Sequence, residues 1–172
     1  MVSTYLSYDL VTRDLSASLK RVSNQSSVSR EAEYYQENIG KVTSVDEFLD
    51  DYRLYSYAMK AYGLEDMTYA KAFMRKVLDS DLSDENSFAN LVADDRYRDF
   101  ATAFNFSSEE KTAQSSTQVD AMVDLYTETM VSQGDAVTTE TNYFNAMMDE
   151  GGSVDDLLNN DRLRDYLFTS YD

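Results

Sequence analysis

The sequence predicts an all-α fold, a compact or slightly solenoidal helical bundle of three imperfect repeats, and three observations carry that prediction. Across 172 residues there is no proline and only five glycines, so the two strongest helix breakers are almost absent. Apolar residues recur at spacings of three and four through most of the chain, the mark of helices with one buried face. A short helix–capped helix unit also returns three times, as SVDEFLDDYRLYSYAMKAYGL (44–64), SFANLVADDRYRDFATAFNF (87–106) and SVDDLLNNDRLRDYLFTSYD (153–172). Each copy opens on a serine and sets an Asp or Asn (Asp51, Asp94, Asn160) two residues before an arginine (Arg53, Arg96, Arg162), with an aromatic one helical turn later (Tyr57, Phe100, Tyr166). Helical units of this length stack, each covering its neighbour's apolar face.

Taken in order, residues 1–4 read as frayed, and a helix over about 5–22 carries the stripe Val11, Leu15, Leu19 and Val22. The polar run SNQSS (23–27) reads as a linker, so residues 1–27 form an arm and 28–172 an acidic repeat domain. A helix from Val28 to Ile39 presents Ala32, Tyr35 and Ile39 and stops at Gly40, a residue type common just past a helix end. Ser44 and Glu47 fit a capping box for a short helix to Leu49. Asp51 caps the next helix, Tyr52 to Tyr62, with Leu54, Tyr57, Ala58 and Ala61 inward and Gly63 as its stop. A further helix is predicted over Glu65–Leu78, from Met67, Ala70, Phe73, Met74 and Val77. The loop DSDLSDEN leads to the second copy, which is expected to end at Asn105 as the first ends at Gly63. Ser107 and Glu110 suggest a second capping box, opening a helix over Ser108–Gln133 with Val119, Met122, Val123, Tyr126 and Met130 inward. Gly134-Asp135 reads as a turn, and a helix over 136–149 carries Tyr143, Phe144 and Met147 into the third copy. That copy stops where the first continues into another helix, as a terminal cap or a piece of a longer multi-copy chain would.

The chain has no Cys and no His. Disulfides, thiolate nucleophiles, Ser-His and Cys-His relays and His-ligated metals therefore have no residues to build them, and carboxylates are left as the main catalytic groups. Lys and Arg number 15 against 32 Asp and Glu, a net charge of −17. Such a field repels nucleic-acid phosphates and anionic lipid. No apolar run approaches the roughly 18 residues of a membrane span, and MVSTYLSYDLVTRDL lacks the basic-then-apolar pattern of a cleaved export signal.

Each charged or aromatic cluster has a structural reading. Arg53, Arg96 and Arg162 sit in the first turn of a helix, where a cation opposes the macrodipole. A carboxylate such as Asp50, Asp51 or Asp94 is therefore expected to pair with them and fix the joint between short and capped helix. Asp79, Asp81 and Ser83 match the first positions of a calcium loop. Asp84, Asn86 and Asn90 then stand where that loop needs glycine, an apolar residue and glutamate, so a solvated loop is expected. The cluster Asp149, Glu150, Asp155 and Asp156 reads as a solvated end. Of the 14 tyrosines, most fall on buried stripes; Tyr5, Tyr8, Tyr34 and Tyr52 are those expected to face a partner.

At YAMKAYGLEDMTYAKAFMRKVL (57–78) and SFANLVADDRYRDFATAFNF (87–106), and at the opening STYLSYDL and REAEYYQENIGKVTSVDEFL, the sequence resembles an alphaproteobacterial family of unknown function often encoded among flagellar genes. The resemblance implies a helical, flagellum-related protein, sometimes with several domain copies per chain, and brings no catalytic residues with it.

The reading that joins these strands is a non-enzymatic structural or protein-interaction component related to the flagellum, its location left open between the flagellum, reached without a cleaved signal, and the cytoplasm. Its arm docks on a protein partner, flagellar or a second copy, through Val11, Leu15, Leu19 and Val22. No cofactor, metal, nucleic acid or membrane insertion is expected. A cytoplasmic adaptor or export chaperone is the alternative, with a carboxylate-only metal protein or enzyme more distant.

Overall fold

The computed structural model describes residues 15–106, 112–149 and Asn160. Among them every regular element is helical. Residues 15–23 form α1, followed by α2 (Ser26–Asn38), α3 (Val45–Asp50), α4 (Tyr52–Ala61), α5 (Lys71–Leu78), α6 (Phe88–Leu91), α7 (Asp95–Thr102) and α8 (Ser116–Asp149). Single 3₁₀ turns lie at Ile39–Lys41 and Glu65–Met67. The chain divides into two compact units, Met1–Met130 and Val131–Asp172. The second is represented by the last part of α8 and by Asn160, so its copy of the repeat, with Arg162, falls outside the described residues.

Local chemistry sets the joints of the first unit. Ser44 Oγ accepts from Glu47 N at 3.2 Å, while Glu47 accepts from Thr43 N and Oγ1 at 2.8 and 2.9 Å. These bonds hold the Glu47 carboxyl below its ordinary pKa, the Thr43 backbone bond contributing most. Asp51 Oδ1 takes the first free amides of α4, Arg53 N at 3.0 Å and Leu54 N at 3.1 Å, and Asp94 does the same for Arg96 N at the start of α7. α4 ends in a Schellman turn: Leu64 N donates to Met59 O at 2.8 Å and Gly63 N to Lys60 O at 3.0 Å. Gly63 sits at φ 61°, where a Cβ would be strained.

The core gathers around α4. Leu54, Tyr57, Ala58 and Ala61 are buried as the stripe predicts, and Tyr55 and Met59 join them. Tyr57 is sandwiched between Tyr35 of α2, ring centroids 4.7 Å apart, and Tyr126 of α8, 4.0 Å apart. Tyr35 is fully buried and its hydroxyl donates to Gln114 Oε1 at 2.8 Å. Phe48 of α3 packs on Phe104 and Phe106 and meets Tyr55 edge-on.

Five elements differ from the sequence expectation. Helix α2 passes into the 3₁₀ turn through Gly40, which has no positive φ, so the segment tightens there rather than reversing. The helix expected from Glu65 begins at Lys71, because residues 65–70 are spent on a 3₁₀ turn and a further turn. Asn105 does not adopt the left-handed conformation; its N donates to Ala113 O at 2.8 Å, and Ala113 N to Val42 O, so an extended link ends this stretch. The proposed Ser107–Glu110 box falls outside the described residues, but α8 starts only at Ser116, and Ser115 with Gln118 forms the reciprocal cap: Ser115 N donates to Gln118 Oε1 at 2.8 Å and Gln118 N to Ser115 Oγ at 3.4 Å. Finally, α8 runs through Gly134 without a turn.

A lone glycine weakens a helix without ending it. Nothing lies within 4 Å of a Cβ built at Gly134, so Gly134→Ala is expected to stabilise the helix by up to about 1 kcal/mol. A turn at this position would instead make the same substitution destabilising, and thermal unfolding of the pair reads the sign.

Candidate functional site

The stripe on the first helix is divided. Leu15 is 48% exposed, Leu19 and Val22 are half-buried, and Val22 packs against the core. Val11 lies outside the described residues. Leu19, with Lys20 and Ser23, faces Val123, Asp124, Thr127 and Glu128 of α8 across a cleft of about 440 Å³. The SNQSS run is shorter as a break than expected: only Asn24 and Gln25 are non-helical, and Gln25 N donates to Val22 O at 3.0 Å.

The two described repeat arginines fix joints, each differently. Arg53 grips Glu31 of α2 with Nε at 2.7 Å and Nη2 at 3.0 Å, gives a further bond to Arg30 O, and lies 4.0 Å above the Tyr34 ring. Its partner is thus neither Asp50 nor Asp51. Asp51 is already engaged by the amides of α4 and by Tyr34 Oη, which donates to Oδ2 at 2.8 Å. The Asp51 bond raises the Tyr34 hydroxyl pKa, with burial adding, and the Glu31 bond raises that of Arg53. Tyr34, expected to face a partner, is a half-buried strut.

Arg96 clasps its own cap, Asp94, with Nε and with Nη2 at 2.7 Å, and its Nη1 donates to Gly63 O. The guanidinium therefore meets the carbonyl-rich end of α4, where a cation is favoured, and it holds the Asp94 carboxyl below its ordinary pKa. Arg53 and Arg96 are each about half exposed, so their pairs act as positioning contacts with small net stabilisation.

The loop after α5 spends its carboxylates on itself. Asp81 Oδ1 accepts from Ser83 N and Oγ, and Asp84 Oδ1 accepts from Asn86 N. Asn90 Nδ2 donates to Leu82 O and Asp84 O. Among the described residues no three Asp or Glu converge as a metal cage, and no helix is long and apolar enough to cross a membrane.

A second cleft, of about 350 Å³, opens beside α4. Tyr52, Ser56, Tyr57 and Lys60 line it from α4, Glu31 from α2, Tyr126 from α8, and Glu65 and Thr68 from the following turn. Sequence periodicity places Tyr57 and Tyr126 on buried stripes but cannot show that the stripes meet at an opening. Tyr52, at 66% exposure, faces outward as expected, and Tyr69, at 82%, was not foreseen.

Comparison with known proteins gives a family without an activity. The chain resembles a crystal structure of an Agrobacterium tumefaciens protein determined by a structural genomics consortium, with 40% identity, a TM-score of 0.70, and coverage of 98% of this chain and 76% of that one. No curated protein matches it. The family described as protein of unknown function, DUF1217, matches residues 61–172, well over half of the sequence, and the chain belongs to that family.

Proposed function

We propose that this chain is a non-enzymatic protein-interaction component of the bacterial flagellar system, docking through the first helical face. The observation that carries the docking role is Leu15, a large apolar side chain left 48% exposed on a helix whose next two stripe positions turn inward. An amphipathic helix with anchors one turn apart is a common way for one protein to engage another. The flagellar setting rests on the resemblance at 57–78 and 87–106, and the Agrobacterium neighbour agrees with an alphaproteobacterial source.

A cytoplasmic adaptor or export chaperone is the second reading. The packing of Val22 on the core and of Leu19 beside α8 favours it, because that protein keeps its first helix folded back.

Mass spectrometry of medium and sheared flagella, from cells with and without a working flagellar export ATPase, separates the two. An axial or assembly component appears outside only when export works; confinement to the cytoplasm in both strains refutes the exported reading. Leu15→Asp should leave the melting temperature unchanged, since the residue is exposed, while lowering the amount recovered with sheared flagella. Unchanged recovery would remove Leu15 from the docking surface.

A further inference from the structure

We propose that the cleft beside α4 binds a small monocarboxylate with an apolar or aromatic body. Several polar groups of the lining are already used. Glu31 holds the Arg53 fork with both oxygens. Ser56 Oγ donates to Arg53 O at 3.4 Å and Thr68 Oγ1 to Glu65 O at 2.5 Å. What remains unspent is a set of donors. The Tyr57 hydroxyl is buried and has no hydrogen-bond partner, an uncommon and costly condition. Lys60, on the same helix one turn along, has no ion-pair partner among the described residues and lines the same cleft.

Unused donors call for a ligand that brings acceptors. A cation and an unsatisfied hydroxyl in the lining of one cleft match a carboxylate, because charge-assisted bonds are the stronger ones. Charge limits the ligand as well. Glu31 is neutralised by Arg53, which leaves Lys60 against Glu65 in the lining. In a chain of net charge −17 each further negative charge on the ligand adds repulsion, so a monoanion is favoured over a di- or trianion. The body of the ligand meets the ring of Tyr52, 66% exposed, which favours an apolar or aromatic surface; both faces of Tyr57 are already covered by Tyr35 and Tyr126. The volume of about 350 Å³ lies at the small end of ligand clefts, roughly 300 Å³ upward.

This site is separate from the α1 face, and its failure would leave the docking role untouched. The test is a titration of the full chain with benzoate, followed by amide chemical shifts, with citrate and benzylamine as controls. Benzoate should shift the amides of residues 52–60 saturably, and both controls should leave them in place. Lys60→Met should weaken benzoate at least about tenfold, and Lys60→Arg should restore most of the affinity. Tyr57→Phe should also weaken binding while the melting temperature holds or rises, since it removes an unsatisfied buried hydroxyl; a purely structural Tyr57 would not split the two readouts. Absence of saturable shifts at these amides, binding indifferent to Lys60→Met, or equal response to citrate or benzylamine would overturn the proposal.

Discussion

Replacing Phe48 with alanine should lower the unfolding free energy by about 3–5 kcal/mol, the cost of deleting a fully buried phenyl and leaving part of its cavity unfilled. Phe48 has no exposed surface and lies 4.8 Å from the Phe104 ring and 5.9 Å from each of Tyr55 and Phe106. It is the anchor on which the link after α7 closes over α3, beside the bonds from Asn105 N to Ala113 O and Ala113 N to Val42 O. The variant should therefore also speed amide exchange at Asn105 and Ala113, beyond the shift in urea midpoint. The control lies inside the same chain. Leu91 holds the matching place in the second copy of the unit, yet it is 68% exposed, so Leu91→Ala should change stability by no more than about 0.5 kcal/mol. Equal costs at the two positions would mean that α3 and α6 are buried alike.

Alkaline unfolding within a few units above pH 10 is the second large effect. Burial raises the hydroxyl pKa of Tyr55 to about 12, and raises those of Tyr57 and Tyr35 as well. In the unfolded chain these groups ionise near pH 10, so below that pH both states hold the proton and their contribution is fully present. Above it the unfolded chain loses protons that the folded one keeps. Stability then falls with rising pH until each folded pKa is passed, at about 1.4 kcal/mol per pH unit for each tyrosine, or about 4 for the three. A domain of ordinary stability, about 5–15 kcal/mol, is exhausted within a few pH units. The tyrosinate absorbance of these residues should appear together with loss of helical circular dichroism. Smooth titration of every tyrosine with the helix signal intact would contradict their burial.

Short-range signals in the sequence were read well because their partners lie within one turn. Ser44 with Glu47 and Asp51 with Arg53 N are bonds of sequence separation three and two, and the structure contains them. The inward stripe of α4 followed from spacing alone. Signals that depend on distant residues were not legible. The fork of Arg53 lands on Glu31, 22 residues back, across a helix pair whose approach no local pattern fixes. Gly40 and Gly134 read as stops because glycine permits a turn, yet permission is not demand. Gly63, the one glycine at positive φ among the described residues, closes its helix where the chain must reverse. The Tyr52–Lys60 cleft was invisible for the same reason as the Arg53 pair: it exists only where α2, α4 and α8 meet.

The stack of Tyr35, Tyr57 and Tyr126 has an optical consequence. With no tryptophan in the chain, nothing outshines the phenols in the near ultraviolet, and rings 4.7 and 4.0 Å apart at interplanar angles of 25° and 12° couple their transitions as a chiral exciton. The first unit thus carries its own probe of whether three helices are seated together, readable by near-ultraviolet circular dichroism without a label.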